Sequence, residues 1–246
     1  MMENHGYSQV IGSSSAPYIN SLASTYGLAR NYFAVDHPSL PNYIAATSGN
    51  EQGISNDNSP SADAVSTQSI FGQLPGGQSR SLQEDMPSNC APSDAGSYVV
   101  HHNPMAYYTN LAPDCGNYDV PFGSTPDLSA AFTFVTPDMT DDMHDGPVSA
   151  GDSFLRGYVP ALIGTPQYQQ RNTVIFITWD EDGSESGGPQ EHNHVATLVI
   201  SPYTHSVQDD TSYTHYSLLR TTEQLLGLPL LGNAASANSM AGKFGF

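Results

Sequence analysis

The stretch Thr173-Val174-Ile175-Phe176-Ile177-Thr178-Trp179, followed by Asp180-Glu181, decides the fold class. The run is β-branched or apolar throughout, which is typical of a strand buried on both faces of a mostly parallel sheet. Ligands of open α/β sheets bind at the carboxyl ends of the strands. The two carboxylates after this strand therefore predict ligands for a hard metal ion, with a solvated acidic turn as the alternative.

Two further segments combine an apolar run with polar residues at one end. The run from Val195 to Ile200 begins directly after His194, and the run from Phe132 to Pro137 leads into an acidic segment that contains His144. Carboxylates and imidazoles thus collect at strand ends. The pattern predicts an α/β fold, with a mostly parallel central sheet and helices on both of its faces.

The segment His37-Pro38-Ser39-Leu40-Pro41-Asn42-Tyr43 places one hydroxyl between two prolines, just before a predicted helix. Pro41 suits the first turn of that helix, which can continue to Thr47 until Gly49 ends it. Free N–H groups and the positive end of the helix dipole then surround Ser39. Such a position suits a nucleophile that attacks a phosphoryl group, with a simple N-cap as the alternative role.

Length and charge limit the classes of function. A chain of 246 residues suffices for one large α/β domain, and we predict a single domain over residues 1–246. The chain has six Lys and Arg and 24 Asp and Glu. The resulting formal net charge of −18 argues against binding to nucleic acid or to anionic membrane surfaces. No apolar run approaches the roughly 18 residues of a membrane span. The oligomeric state is not predicted by these features.

Residues 87–124 are aromatic and rich in turn residues, and we predict a loop-rich insertion near the active site. Within it, Tyr98–Val100 is a candidate strand, and Tyr107 and Tyr108 either stack on a ligand or pack under the loop. Cys90 and Cys115 could close a disulfide loop, which would indicate an extracytoplasmic compartment, whereas two free thiols are the alternative.

A series of short motifs in a fixed order resembles the phosphoesterase family of acid phosphatases and phospholipases C, within the alkaline-phosphatase-like superfamily. The resemblance extends from residue 3 to about residue 228. The motifs are Glu3–Tyr7, His37–Tyr43 with Thr47–Gly49, Glu84–Pro87, His102–Pro104, Asp141–Gly146, Gly151-Asp152, Trp179–Glu181, Asn193–Val195 and His215–Arg220.

The resemblance implies a role for each candidate site residue. Ser39 is the expected nucleophile, which forms a phosphoserine that water then hydrolyses, and Asn42 is the expected donor to a phosphate oxygen. The expected ligands of a divalent metal ion are Glu3, Asn4, Ser39, Asp180 and Glu181. The remaining candidates are histidines: His144 and His194 at the place of a second metal ion, and His102 and His215 as groups that contact phosphate or transfer protons.

The resemblance also implies a function, which is metal-dependent hydrolysis of phosphate monoesters on a small phosphorylated substrate, as in an acid phosphatase. The metal could be Ca²⁺, Zn²⁺, Mg²⁺ or Mn²⁺. A phospholipase C or phosphodiesterase is one alternative, and a catalytically weak, metal-binding remnant is another. Together with the cysteine pair, the resemblance indicates a secreted or periplasmic protein.

The beginning of the chain departs from the family pattern. Family members carry an apolar strand just before the Glu-Asn pair, whereas only Met1 and Met2 precede Glu3 here. The first strand is therefore expected to be missing or truncated. A central slot without a strand leaves backbone groups of its neighbours unpaired, so we expect reduced stability unless another segment fills the slot.

Overall fold

Two β-sheets organise the chain, and the computed structural model describes it over residues 1–123, 126–184 and 192–246. The strands are β1 Gly27–Phe33, β2 Ser79–Gln83, β3 Asp119–Pro121, β4 Phe132–Thr136, β5 Ile175–Thr178, β6 His194–Ile200, β7 Val207–Asp209 and β8 Tyr213–Thr214. The α-helices are α1 Tyr7–Val10, α2 Pro17–Thr25, α3 Ser39–Ser48, α4 Pro60–Asp63, α5 Ile70–Gln73, α6 Cys115–Tyr118, α7 Val148–Ile163, α8 Pro166–Gln169, α9 His215–Leu226 and α10 Ala241–Phe244.

The larger sheet confirms the predicted α/β fold, but only some of its strands are parallel to one another. Its order is β5-β6-β1, with β7 and β8 on the far side of β1. Strands β7 and β8 run parallel to β1, whereas β6 is antiparallel to both β1 and β5. The described residues between β5 and β6 contain no α-helix, and without a crossover helix a chain returns antiparallel. Because Val195–Ile200 are all buried, β6 is covered on both faces.

The smaller sheet is parallel throughout, with the order β3-β2-β4. The two predicted strands that end near polar residues are both present, as β4 and β6. The candidate strand at Tyr98–Val100 was wrong, because Tyr98 forms only an isolated bridge with Ala95 and Val100 begins a 3₁₀ turn. The Asp94 side chain accepts a hydrogen bond from the Val100 N–H, which favours a turn over an extended ladder.

The predicted helix after the proline pair is α3, and it ends where the sequence indicated. Gly49 follows it with φ 77°, the left-handed conformation of a helix C-cap. A Cβ at Gly49 would lie 2.3 Å from the backbone oxygen of Leu231, so only glycine fits. All ten residues of α3 are buried, which fixes the position of Ser39 at its first turn. None of the described helices is long and apolar enough to cross a bilayer.

Residues 1–3 lie between the ends of β4 and β5. Met2 forms a parallel bridge with Trp179, and the Met1 amino group donates to the Val135 oxygen at 2.7 Å. The Asp180 N–H also donates to the Met2 oxygen at 3.0 Å. This short bridge fixes Glu3 at the end of β5.

The segment from residue 87 to 123 is built of turns, three 3₁₀ helices, the short helix α6 and the short strand β3, while residue 124 lies outside the described part. Tyr107 and Tyr108 are buried, so they pack under the loop and do not line a surface. A disulfide joins Cys90 to Cys115. The segment also carries His102, which it holds buried against α3.

Removing this disulfide is expected to lower the free energy of unfolding by about 3 kcal/mol, because the bridge restricts the unfolded chain over a loop of 25 residues' separation. The double variant Cys90→Ala, Cys115→Ala should therefore unfold at a lower denaturant concentration, with a steeper denaturant slope because its unfolded chain is less compact. Chemical unfolding of both proteins measures the difference. Equal midpoints would contradict a stabilising role for the disulfide.

Candidate active site

Three buried carboxylates converge where strand ends meet. Glu3 follows the bridge between Met2 and Trp179, and Asp180 directly follows it on the β5 side. Asp142 lies in the loop after β4, and its backbone oxygen accepts a hydrogen bond from the Glu3 N–H at 2.9 Å. All three side chains have no solvent-exposed surface. Glu3, Asp142 and Asp180 thus form one buried, negatively charged cluster.

Helix α3 brings two hydroxyl groups to Glu3. Ser39 Oγ donates to Glu3 Oε2 at 3.2 Å, and the Tyr43 hydroxyl donates to Glu3 Oε1. Residues four apart on a helix lie on the same face, so both hydroxyls reach the same carboxylate. Ser39 itself is 2% exposed. The predicted nucleophile and the predicted metal ligand Glu3 are therefore in direct contact.

The Asn4 side chain contacts two of these carboxylates, Glu3 and Asp180. Its terminal atom lies 3.1 Å from Asp180 Oδ1 and 2.9 Å from Glu3 Oε2. With the nitrogen at this position, Asn4 donates to both carboxylates. With the oxygen there, the amide oxygen faces one oxygen of each carboxylate, and such oxygens are ligands of hard cations. The second orientation is stable only around a cation, because the oxygens repel each other otherwise.

The backbone around Asn4 is tightly fixed. Asn4 has φ 42°, in the left-handed region, and its N–H donates to Asp180 Oδ1 at 3.2 Å. Gly183, with φ 68°, packs against it so closely that a Cβ would lie 2.2 Å from the Asn4 oxygen. The turn after Glu181 therefore requires glycine and holds Asn4 against Asp180.

The pKa values of the carboxylates reflect crowding of like charge. Burial, and then repulsion from Asp180 and Asp142, raises the pKa of Glu3 well above its usual range. Burial raises the pKa of Asp142 to about 8. Burial, and then the neighbouring charge of Glu181, raises the pKa of Asp180 to about 7. Without a positive charge nearby, burial and mutual repulsion disfavour the ionised form of these three carboxyl groups.

No lysine or arginine supplies that counter-charge. All six lie in the described part of the chain, and each makes its contacts elsewhere. Four form ion pairs with aspartates, one lies over a tyrosine ring and one donates to backbone oxygens: Arg30, Arg80, Arg156, Lys243, Arg171 and Arg220. The positive charge that this cluster requires must therefore come from another source.

The cluster contains polar atoms that have no hydrogen-bond partner. Asp180 Oδ2, Asp142 Oδ2 and His102 Nε2 are all buried in this state. Ligand atoms of Glu3, His102 and Asp142 also lie within 4.8 Å of one another. Unsatisfied buried acceptors are costly unless an ion coordinates them. The donor set of carboxylates, an amide, a hydroxyl and an imidazole therefore fits a divalent cation.

His102 lies inside the cluster, and His144 lies beside it. The two nitrogens of His102 are 3.3 Å from Glu3 Oε2 and 3.4 Å from Asp142 Oδ2, and its ring stacks on Tyr43. Burial, and then the neighbouring histidines, lowers the pKa of His102 well below its usual range. The ring centre of His144 is 5.8 Å from that of His102. His144 is half-buried and lies near the site.

Glu181 is buried beside Asp180, and one of its oxygens contacts His37, which was not among the predicted site residues. His37 Nδ1 lies within hydrogen-bond distance of Glu181 Oε2, and His37 Nε2 lies 3.7 Å from Asp182 Oδ1. His37 precedes Ser39 by two residues, and this proximity to the predicted nucleophile was the available signal. It joins the loop that begins α3 to the turn after β5.

His215 has a different environment from the one implied for it. Its Nε2 donates to the backbone oxygen of Asp180 at 2.7 Å, and its Nδ1 accepts from the Tyr32 hydroxyl, 3.0 Å away. Burial lowers its pKa to about 4. Both ring nitrogens of the fully buried His215 are therefore hydrogen-bonded within the protein, one of them to the backbone of Asp180.

Asn42 also differs from its implied role as a phosphate donor. Its Oδ1 accepts from the N–H groups of Val35 and Asp36, and its Nδ2 donates to the oxygens of Asp36 and Pro38. The amide is thus fully engaged in fixing the loop that carries Ser39. The expectation of free N–H groups at the start of α3 needs a similar correction, because the Leu40 N–H donates to Asp57 Oδ1 at 2.8 Å.

His194 is not brought to the cluster by any contact in the described residues. Its Nε2 lies 2.8 Å from the Arg30 oxygen, and its ring stacks on Tyr7 with centroids 4.4 Å apart. It stands at the beginning of β6 as predicted. Its contacts are those of a surface residue on this strand.

Two other site residues were not predicted as members of the site. Tyr43 was part of the motif around Ser39, and its spacing of four residues was the signal for a shared helix face. Asp142 lies in an acidic run in which sequence alone does not distinguish buried from exposed carboxylates. The backbone hydrogen bond from Glu3 and the proximity of His102 place it in the site.

The fold is similar to that of a solved structure in the alkaline-phosphatase superfamily. A superfamily member from Vibrio parahaemolyticus aligns with 98% of this chain and 70% of its own, with a TM-score of 0.65 and 13% sequence identity.

The relatives in sequence define the family more closely. The chain is 30% identical over 243 residues to a phosphatidylinositol-3-phosphatase of Mycobacterium tuberculosis, covering 96% of this chain and 78% of that protein. It is 32% identical over 244 residues to an acid phosphatase of Aspergillus fumigatus, covering 86% of this chain and 51% of that protein. The chain therefore spans about half the length of that fungal relative. The model of the Phosphoesterase family matches residues 1–229, and the chain belongs to this family of phosphoric ester hydrolases.

Proposed function

We propose that this protein hydrolyses phosphate monoesters at a divalent metal site, with Ser39 as the nucleophile. The observation that carries the proposal is the contact of the Ser39 hydroxyl with Glu3, inside a buried group of carboxylates that no lysine or arginine neutralises. The names of the relatives, an acid phosphatase and a phosphatidylinositol-3-phosphatase, support monoesters as the substrate class.

The metal would be held by Glu3, Asn4, Ser39 and Asp180, whose polar atoms converge. A bound cation would lower the pKa of the Ser39 hydroxyl and neutralise phosphate oxygens. Oxygen ligands of this kind suit Mg²⁺, Mn²⁺ or Ca²⁺, whereas ligation by His102 would favour Zn²⁺. Glu181 would act next to the site through its contact with His37.

The chain's own groups then perform a two-step transfer. The Ser39 proton is directed at Glu3 Oε2, and Ser39 Oγ bonds to phosphorus as the ester P–O bond breaks. The leaving alkoxide takes a proton from a solvent water, and the hydroxide that remains attacks the phosphoserine. This second step gives hydrogen phosphate and a serine alkoxide, which recovers its proton from Glu3. His102, neutral because burial lowers its pKa, would contact the phosphate as a hydrogen-bond donor.

The positions of the histidines refine the roles implied by the resemblance. His144, whose ring centre is 5.8 Å from that of His102, would contact a phosphate or a second metal ion. His215 and Asn42 would serve as positioning residues, since their polar atoms already bind Asp180 and the loop before α3. The disulfide supports a secreted or periplasmic location, where such bonds persist.

Metal removal and turnover of an aryl phosphate, measured on one preparation, test the proposal. Chelation is expected to abolish hydrolysis, and one of Mg²⁺, Mn²⁺, Ca²⁺ or Zn²⁺ should restore it. A bis-aryl phosphodiester serves as the matched substrate and should be hydrolysed far more slowly. Full activity after chelation would refute the metal role, and faster hydrolysis of the diester would favour a phosphodiesterase.

A further inference from the structure

The two oxygens of the Glu3 carboxylate have different neighbours. Oε2 lies 3.2 Å from Ser39 Oγ and 3.3 Å from His102 Nε2. The terminal atom of the Asn4 side chain is 2.9 Å from the same oxygen. The hydroxyl of Tyr43, in contrast, donates a hydrogen bond to Oε1. One oxygen of Glu3 thus faces the candidate metal site, while the other is bonded to a neutral donor of the protein.

Packing on several sides holds Tyr43 in place. Its side chain has no solvent-exposed surface, and every other residue of α3 is buried with it. The ring stacks on that of His102, with centroids 5.4 Å apart and planes 10° from parallel, and the Phe134 ring is 5.9 Å away. Because close-packed interiors leave side chains little room to shift, the hydroxyl stays at Glu3 Oε1.

The backbone of Glu3 is fixed as well, so the Tyr43 hydroxyl determines how the carboxylate is turned. The Glu3 N–H donates to the Asp142 oxygen at 2.9 Å, and the next residue, Asn4, has φ 42° in the left-handed region. A bond from Tyr43 to Oε1 then keeps Oε2 directed at Ser39. A carboxylate oxygen has two lone pairs, so Oε2 can accept from Ser39 and also face an ion.

We propose that the Tyr43 hydroxyl is a specificity-determining group, which restricts Glu3 to a single oxygen toward the bound cation. The inference rests on the proposed function, because it concerns the same metal site. Mg²⁺ requires a nearly ideal octahedron of ligands, whereas Ca²⁺ accepts about six to eight oxygens, including both oxygens of one carboxylate. Retaining Oε1 on Tyr43 therefore favours Mg²⁺ over Ca²⁺ at this site.

Tyr43→Phe tests the inference, because it keeps the buried ring and removes the hydroxyl. Calorimetric titrations of the full chain with Mg²⁺ and with Ca²⁺ give the two affinities, independently of turnover. With Oε1 released, the ratio of Ca²⁺ affinity to Mg²⁺ affinity is expected to rise at least about tenfold. Residues outside the ligand shell change metal affinity by about 10- to 100-fold, so a shift of this size is within their range.

Tyr108→Phe is the matched control, because it removes another buried tyrosine hydroxyl that contacts α3. The Tyr108 hydroxyl lies 2.7 Å from Thr47 Oγ1, and Thr47 is near the opposite end of α3 from Ser39. This variant should bind Mg²⁺ and Ca²⁺ in the same ratio as the wild type. An equal shift in both tyrosine variants would assign the effect to the packing of α3 and overturn the inference.

Glu3→Gln is a second variant, whose result does not require Tyr43→Phe to fold. Glutamine offers one oxygen, so an ion that uses one oxygen of residue 3 should lose affinity by a similar factor for Mg²⁺ and Ca²⁺. Combined with Glu3→Gln, Tyr43→Phe should no longer change the ratio, since no second oxygen can be released.

Three results would overturn the inference: an unchanged ratio in Tyr43→Phe, a loss of Ca²⁺ affinity in Glu3→Gln that exceeds the loss of Mg²⁺ affinity at least about tenfold, or a wild type that binds neither ion. The proposed function is decided separately by chelation and turnover, which do not depend on Tyr43. A wild type that hydrolyses the aryl phosphate only with metal, combined with an unchanged ratio in Tyr43→Phe, would leave the function standing and refute this role of Tyr43.

Discussion

Ser39→Ala is expected to lower turnover of an aryl phosphate by about 10³-fold or more, because no other hydroxyl occupies the first turn of α3 beside Glu3. Tyr43 also contacts Glu3, but its hydroxyl reaches the opposite carboxylate oxygen. The variant should keep its fold and bind the metal, since the carboxylates that hold it are unchanged. Steady-state kinetics and a metal titration of the same variant measure both results.

Ser48→Ala is the matched control, because Ser48 is a buried serine at the other end of the same helix. Its hydroxyl donates to the backbone oxygens of Ile44 and Asn50 and has no contact with Glu3. This variant should retain near-normal turnover. Comparable activity of the two variants would remove Ser39 from the mechanism.

Asp180→Asn is expected to weaken divalent-metal binding by at least about 100-fold, since even residues outside the ligand shell change metal affinity by 10- to 100-fold. The substitution removes one charge and nearly preserves shape. Glu181→Gln should have an effect in the same direction. Isothermal titration with the activating metal gives the affinity, and part of the lost activity should return at high metal concentration.

Asp152→Asn provides the control for loss of a buried carboxylate. Asp152 is 3% exposed and accepts from the N–H groups of Tyr18 and Ile19 at the start of α2, away from the cluster. This variant should lose about 1 kcal/mol of stability but keep its metal affinity. Unchanged metal affinity in Asp180→Asn would place the ion elsewhere.

The elements with a strong local pattern could be predicted from the sequence. Strands β4 and β6 and helix α3 have apolar runs or clear end signals, and their positions agree with the structure. The contact between Ser39 and Glu3 could also be anticipated, because the resemblance assigned both to one metal site. These predictions rest on features within a few residues of the chain or on an ordered series of motifs.

The features that depend on distant contacts could not be predicted. Strand β6 runs antiparallel to β5. The described part of the connection between them contains no crossover α-helix, and an apolar run alone does not indicate the direction of a strand. The roles of Asn42 and His215 depend on which partners take up their polar atoms in the fold. Burial of Asp142 within an acidic run likewise depends on the Glu3 backbone, 139 residues away by number.

Trapping of the phosphoenzyme tests the central claim most directly. The protein is mixed with an aryl phosphate, quenched in acid and digested, and the peptides are analysed by mass spectrometry. The account predicts one peptide carrying a single phosphoryl group on Ser39, and no such peptide from Ser39→Ala. Phosphate on a histidine or on another serine, or turnover without any phosphorylated peptide, would contradict it.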